Sequence, residues 1–227
     1  MIRLITLLVM SASLAFSAEL EDAKAAFAKQ DKALNAAYAG LKKDLAPEIF
    51  AKVQEDQRGW VEYREAISDF QTEGEEKENS AAWFETAAGM TESRIEWLEA
   101  WRKATLREGW EGRYSDGFGG LLEIVEEGGK VHFRLSVVRG PTYHSGEIGG
   151  VLRINGGTAW FETQGEDSED PTWLTFLEEH DGSGRITVHG ENTSYFHGMR
   201  AYFEGSYLWL GKLSAEDRKA VLEPEEQ

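Results

Sequence analysis

Histidines, serines and a surplus of carboxylates are the raw material for chemistry in this 227-residue sequence. His144, His189 and His197 attract attention because each stands beside glycines and turn residues in a stretch of alternating apolar pattern. The segment ENTSYFHGMRAYFEGSY, residues 191–207, joins aromatic rings, amide and imidazole. Such a set suits hydrogen bonding and ring stacking on a small ligand. Tyr143, His144, Tyr195, His197 and Arg200 are therefore the expected lining of a pocket at a barrel mouth. The competing reading ties the histidines to loop backbone and sends the rings into the core. Acid–base work would need carboxylates held together, and Asp116, Glu147 and Glu204 could pair in space, as in any acidic chain. Nucleophilic chemistry lacks G-x-S-x-G. Phosphate chemistry lacks a P-loop or a G-x-G-x-x-G after a strand. Zinc chemistry lacks H-E-x-x-H or a close histidine pair. The residues point away from an enzyme, and neither metal nor cofactor is expected.

The charge narrows the partners. Lys and Arg number 24 against 41 Asp and Glu, leaving −17 at pH 7. A chain of that sign repels phosphate backbones, which excludes nucleic acid, and attracts basic proteins. The absence of cysteine excludes disulfides, thiolate nucleophiles and thiolate metal sites. At the N-terminus, MIR precedes the apolar run LITLLVMSASLAF and the small residues of SASLAFSA. That layout predicts a signal peptide over residues 1–18, cleaved after Ser17 or Ala18. The run is short for a membrane span, so a periplasmic or secreted protein with no membrane attachment is expected.

Two grammars follow. Residues 19–108 are rich in helix formers. Phe27, Leu34, Tyr38, Leu41 and Leu45 mark a first amphipathic helix. Pro47 starts a second, expected over 48–72, and a third is expected over 81–106 with a possible interruption at Gly89. From residue 109 glycine becomes dense and period-two alternation appears, as in KVHFRLSVV. Eight strands are expected, at 111–116, 120–126, 130–138, 144–154, 158–163, 172–178, 185–190 and 200–209. They fit an antiparallel barrel or sandwich over 109–213, followed by a short helix and acidic tail at 214–227. The fold class is α+β: a bundle of about three helices, then an antiparallel β domain of about eight strands.

One stripe in the helical half is polar. In QEDQRGWVEYREA, Gln57, Trp60 and Arg64 stand three and four apart and share a helix face. Either they face a partner or they form a clamp between the first two helices. In the clamp, Arg64 stacks on a ring or pairs with Asp31, while Asn35 and Gln57 satisfy each other or backbone.

These residues carry a resemblance. QDKALNAAYAGLKKDL, with Asp31, Leu34, Asn35, Tyr38 and Leu41, precedes the Gln57, Trp60, Arg64 stripe; TESRIEWL, with Thr91, Arg94 and Leu98, follows it. In that order they resemble the lysozyme inhibitor LprI-like family over residues 25–101. The resemblance implies inhibition of a lytic enzyme, with a basic protein such as lysozyme as partner. Many relatives carry a cysteine pair where this chain has Ile67-Ser68 and Ala87-Ala88-Gly89, so helix packing must replace that staple. The acidic loop QGEDSED, residues 164–170, is a second expected contact for a basic enzyme. The β half is similar in size to small periplasmic inhibitor barrels. It lacks their S-G-x-x-Y loop, since Ser145-Gly146 and Ser183-Gly184 are not followed by the tyrosine. The alternative function is a small-ligand barrel carrying a helical accessory domain.

Overall fold

The computed structural model describes residues 2–72, 74–103, 107–165 and 170–223, without the side chains of 2–16. The end of the third predicted helix, most of the acidic loop 164–170 and residues 224–227 lie outside the described residues. Helix α1 (Ile2–Asp44) runs unbroken through the predicted cleavage point. Pro47, whose missing N–H costs nothing in a first turn, opens α2 (Pro47–Phe70). Ser80 caps α3 (Ala81–Ala100) by accepting from the Trp83 N–H at 3.3 Å. Gly89 does not interrupt α3. Helices α1 and α2 both pack on α3 and touch each other little. The apolar stripe predicted for α1 is used there, with Leu34 and Leu41 buried among Val53, Trp60 and Leu98.

Eight strands follow: β1 (Gly112–Ser115), β2 (Gly120–Glu127), β3 (Lys130–Arg139), β4 (His144–Asn155), β5 (Thr158–Thr163), β6 (Thr172–Glu178), β7 (Arg185–Glu191) and β8 (Gly205–Gly211). Each pairs antiparallel with the next, and β1 closes on β8. Every strand pairs on both sides, although β4 meets β5 only over Arg153–Asn155, and closure selects the barrel over the sandwich. Alternation sets what faces inward: Phe133, Leu135 and Val137 from β3, Leu174 and Phe176 from β6, and Tyr207 from β8 are fully buried or nearly so. Each such side chain contributes about 1.5–3 kcal/mol by leaving water. The interior is therefore filled by side chains.

The eighth strand corrects the predicted 200–209. Residues 193–204 instead fold into one barrel end, beginning with a 3-10 turn at Thr193–Phe196. Ala201 and Phe203 are buried there. His197 bridges to Gly146, where any Cβ would collide with the histidine's own Cβ. These residues alternate like a strand because every second one points into the core, but they plug the barrel rather than extend its wall. Helix α4 (Ala215–Leu222) then lies over β2 and β3, started by a capping box between Ser214 and Asp217.

The helical half sits on the outer wall of the barrel. Trp97 of α3 and Trp101 at its C-terminal cap share a core with Leu208 of β8, and Trp97 Nε1 donates to Ser115 O at 3.1 Å. Lys52 of α2 pairs with Asp181 in the β6–β7 turn. At the other barrel end, the Gly140 N–H donates to the Tyr63 hydroxyl at 3.3 Å and Gln71 Nε2 donates to the Tyr143 hydroxyl at 3.1 Å.

Candidate functional site

The polar stripe of α2 meets α1 and α3 together. Arg64, 6% exposed, donates from Nη1 to Asp31 Oδ1 on α1 at 3.3 Å and to Thr91 Oγ1 on α3 at 3.2 Å. Arg94 reaches back from α3. Its Nε donates to Gln57 Oε1 at 2.8 Å and its Nη2 to Asp56 Oδ1 at 2.6 Å. The Trp60 ring lies between the two guanidiniums, 5.2 Å from Arg64 and 5.3 Å from Arg94. The clamp between the first two helices is thus corrected to one across three, with α3 supplying Thr91 and Arg94. Asn35 and Gln57 do not satisfy each other: Asn35 Nδ2 donates to Asp31 O and Oδ2, and Gln57 serves Arg94.

Burial dominates the electrostatics. It brings Arg94 down to about 10, against the pull of Asp56, and it lifts the Asp56 carboxyl above its usual range despite the nearby guanidinium. For each partner, desolvation outweighs the attraction of the other. Arg64 Nε and Arg94 Nη1 are buried with no hydrogen-bond partner. Aromatic faces stand beside them instead, Trp97 at 3.8 Å from the Arg94 guanidinium.

Outside the clamp, α1 and α2 leave an open groove of about 460 Å3, lined by Asp31, Asn35, Tyr38, Gln54 and Glu62 among others. It is polar on both walls.

Residues 15–98 match the family described as lysozyme inhibitor LprI. The matched stretch is α1 from residue 15 onward, α2 and most of α3, and it contains every residue of the clamp. It is under half of the chain and ends before the barrel. No curated protein and no solved structure matches the chain. In the matched segment, the residues that carry the resemblance hold one another: Asp31 with Arg64, Arg64 with Thr91, Gln57 with Arg94. Leu34 is buried beneath them, and Tyr38 stacks on Phe50 at 5.3 Å.

The five residues expected to share a barrel-mouth pocket are divided. Tyr195 and His197 line one recess with Val138 and Glu147, whereas Tyr143 lines another against α2 and α3. Gly198 brings His144 near His197 through backbone. Arg200 is exposed. His197 follows the competing reading. Its Nδ1 is 2.9 Å from Gly198 O and its Nε2 3.0 Å from Thr193 Oγ1, with Phe203 edge-on at 5.3 Å. His189 is exposed on β7, far from sharing a site with it. Asp116, Glu147 and Glu204 do not assemble either. Asp116 Oδ1 accepts from the Phe118 and Gly120 N–H groups and Oδ2 pairs with buried Arg139 at 2.5 Å, whereas Glu147 receives both Nε and Nη2 of Arg134. Among the described residues, no three His, Asp or Glu side chains are grouped as a metal site, and no helix is long and apolar enough to cross a membrane.

Sequence reading missed the cleft at the junction of the two halves. It measures about 220 Å3, between Tyr63 and Ile67 of α2, Met90 and Ser93 of α3, and Phe118 in the β1–β2 turn. The signal was DGFGG, residues 116–120, a glycine run that lets backbone come close. Gly117 has φ +77°, and a Cβ there would stand 2.5 Å from Arg94 Nη1.

Proposed function

We propose that this is an exported binding protein that inhibits a basic cell-wall lytic enzyme of the lysozyme kind, with the helical half as the contact. The match of residues 15–98 to lysozyme inhibitor LprI carries the reading. The signal-peptide layout of residues 1–18 and the charge of −17 support it, because the partner would be met outside the cytoplasm and be drawn in electrostatically. Residues 19–108 act as the working unit and residues 109–213 as the wall on which it is mounted, with 214–227 a closing helix and tail. The protein does no chemistry on its partner; it occupies a surface. Calorimetry with a C-type lysozyme at low and moderate salt, with cell-wall lysis followed in parallel, tests this. Binding that weakens as salt screens charges beyond about 10 Å at 0.1 M, together with slowed lysis, is the expected result. No heat of binding at low salt, where attraction is greatest, sinks it.

A further inference from the structure

The junction cleft joins three observations. Its floor is apolar, with Trp60 and Ile67 buried beneath Met90 and Phe118, and Val138 exposed at the side. Its outer wall is Tyr143, which is 56% exposed and holds φ +52°. That left-handed conformation is uncommon outside glycine, asparagine and aspartate, and a bulky aromatic persists there only when its surroundings impose it. Here Gln71, at the C-terminal cap of α2, donates from Nε2 to the Tyr143 hydroxyl at 3.1 Å and so ties the ring to the helical half beside the cleft. The third observation is charge. On α3 the cleft-facing residues are Thr86, Met90 and Ser93; one step round the helix, Glu85, Glu92 and Glu96 form an exposed acidic strip, Glu96 also lying 3.5 Å from Arg113 Nη1. Gly89 lies in that strip with open space where a side chain would be, so nothing shields the approach.

We propose that this cleft seats one large apolar side chain from a basic protein segment, with flanking lysine or arginine on the Glu85–Glu92–Glu96 strip. A central apolar anchor in a ready-made pocket beside complementary charge is how a few residues come to dominate an interface. Tyr143 is the side that closes over the anchor. The choice of a basic partner rests on the lytic-enzyme reading, but the site itself is tested separately.

The chain has four methionines, and two report here: Met90 lies in the cleft and Met199 is 95% exposed on the barrel plug. The full-length protein carrying 13C-methyl methionine is titrated with the amidated peptide Lys-Lys-Phe-Lys-Lys, its alanine-centred version, and Glu-Glu-Phe-Glu-Glu. The Met90 methyl resonance moves with the first peptide, about tenfold less tightly with the second, and not with the third, while Met199 stays still. Tyr143→Gly suits the left-handed backbone, so its melting temperature equals or exceeds wild type while peptide affinity falls about tenfold. Ser93→Trp fills the mouth and abolishes the response. Equal binding of phenylalanine and alanine peptides, or an unmoved Met90, overturns the site. If lysozyme binds but ignores Tyr143→Gly and Ser93→Trp, the site is overturned and the inhibitor reading stands. If the peptide responds and lysozyme does not bind, the inhibitor reading fails and the site stands.

Discussion

Arg94 is almost wholly enclosed, and its charge is answered by one carboxylate, one amide and three aromatic rings. Removing one partner of such a pair leaves the other uncompensated. Arg94→Ala is expected to cost about 3–5 kcal/mol in urea unfolding, with Asp56 left facing apolar surroundings. A loss under about 1 kcal/mol would mean that the clamp ornaments a bundle held by other contacts. Ser68 predicts the opposite. It stands in the neighbourhood where relatives place a cysteine, and its hydroxyl is buried without a partner. Ser68→Ala removes an unpaired polar group, so stability should stay the same or rise by up to about 1 kcal/mol; a marked fall would reveal a bond that the side-chain geometry does not show. At this scale spacing was half informative. It put Gln57, Trp60 and Arg64 on one face because helical periodicity is local. It could not show that Arg94, 37 residues on, takes Gln57, nor that His197 would bond its own loop, because those choices are made by packing between elements.

Elements were more legible than contacts. Seven of the eight strands fall within a residue or so of their predicted bounds, since alternation and glycine turns are written directly in the chain. The eighth was misplaced because a plug also alternates. Helix α4 illustrates what burial by a late element does. It covers Glu123 on β2, which is 4% exposed. Burial raises the Glu123 carboxyl above its usual value, Asp217 on α4 adds to the rise, and Arg134 draws it partly back. A carboxyl whose folded pKa is raised favours the fold in its protonated form. Its contribution is complete below about pH 4.5 and is lost as pH climbs through the folded value. Glu123→Gln carries no such titration. Its advantage over wild type should therefore be small at about pH 4 and grow by pH 7. Urea midpoints at the two pH values decide it, and a gap that does not change with pH refutes the linkage.

Across the whole molecule, β8 belongs to two cores. Tyr207 and Trp209 face the barrel interior, while Leu208 joins Trp97, Trp101 and Leu98 on the helical side. Leu208→Ala opens a void between the halves and should cost about 2–5 kcal/mol. Because both halves lean on that strand, helix loss by far-ultraviolet dichroism and barrel loss by exchange of the strand-bonded amide hydrogens should coincide in wild type. Two separated transitions would show halves that fold independently. This mutual dependence was the least legible feature, because a composition change near residue 109 marks where pattern switches, not how strongly two patterns adhere.

The double use of β8 also sets a schedule. A chain emerging from its N-terminus delivers all three bundle helices before any strand, yet Leu208 reaches them last. Until then Trp97 and Trp101 have no finished surface against which to pack, and β1 has no partner on one side. A chain lacking its final twenty residues loses Leu208–Gly211 of β8 and leaves both cores open. Completion of both cores therefore waits on β8, and no disulfide ties the two halves together beforehand.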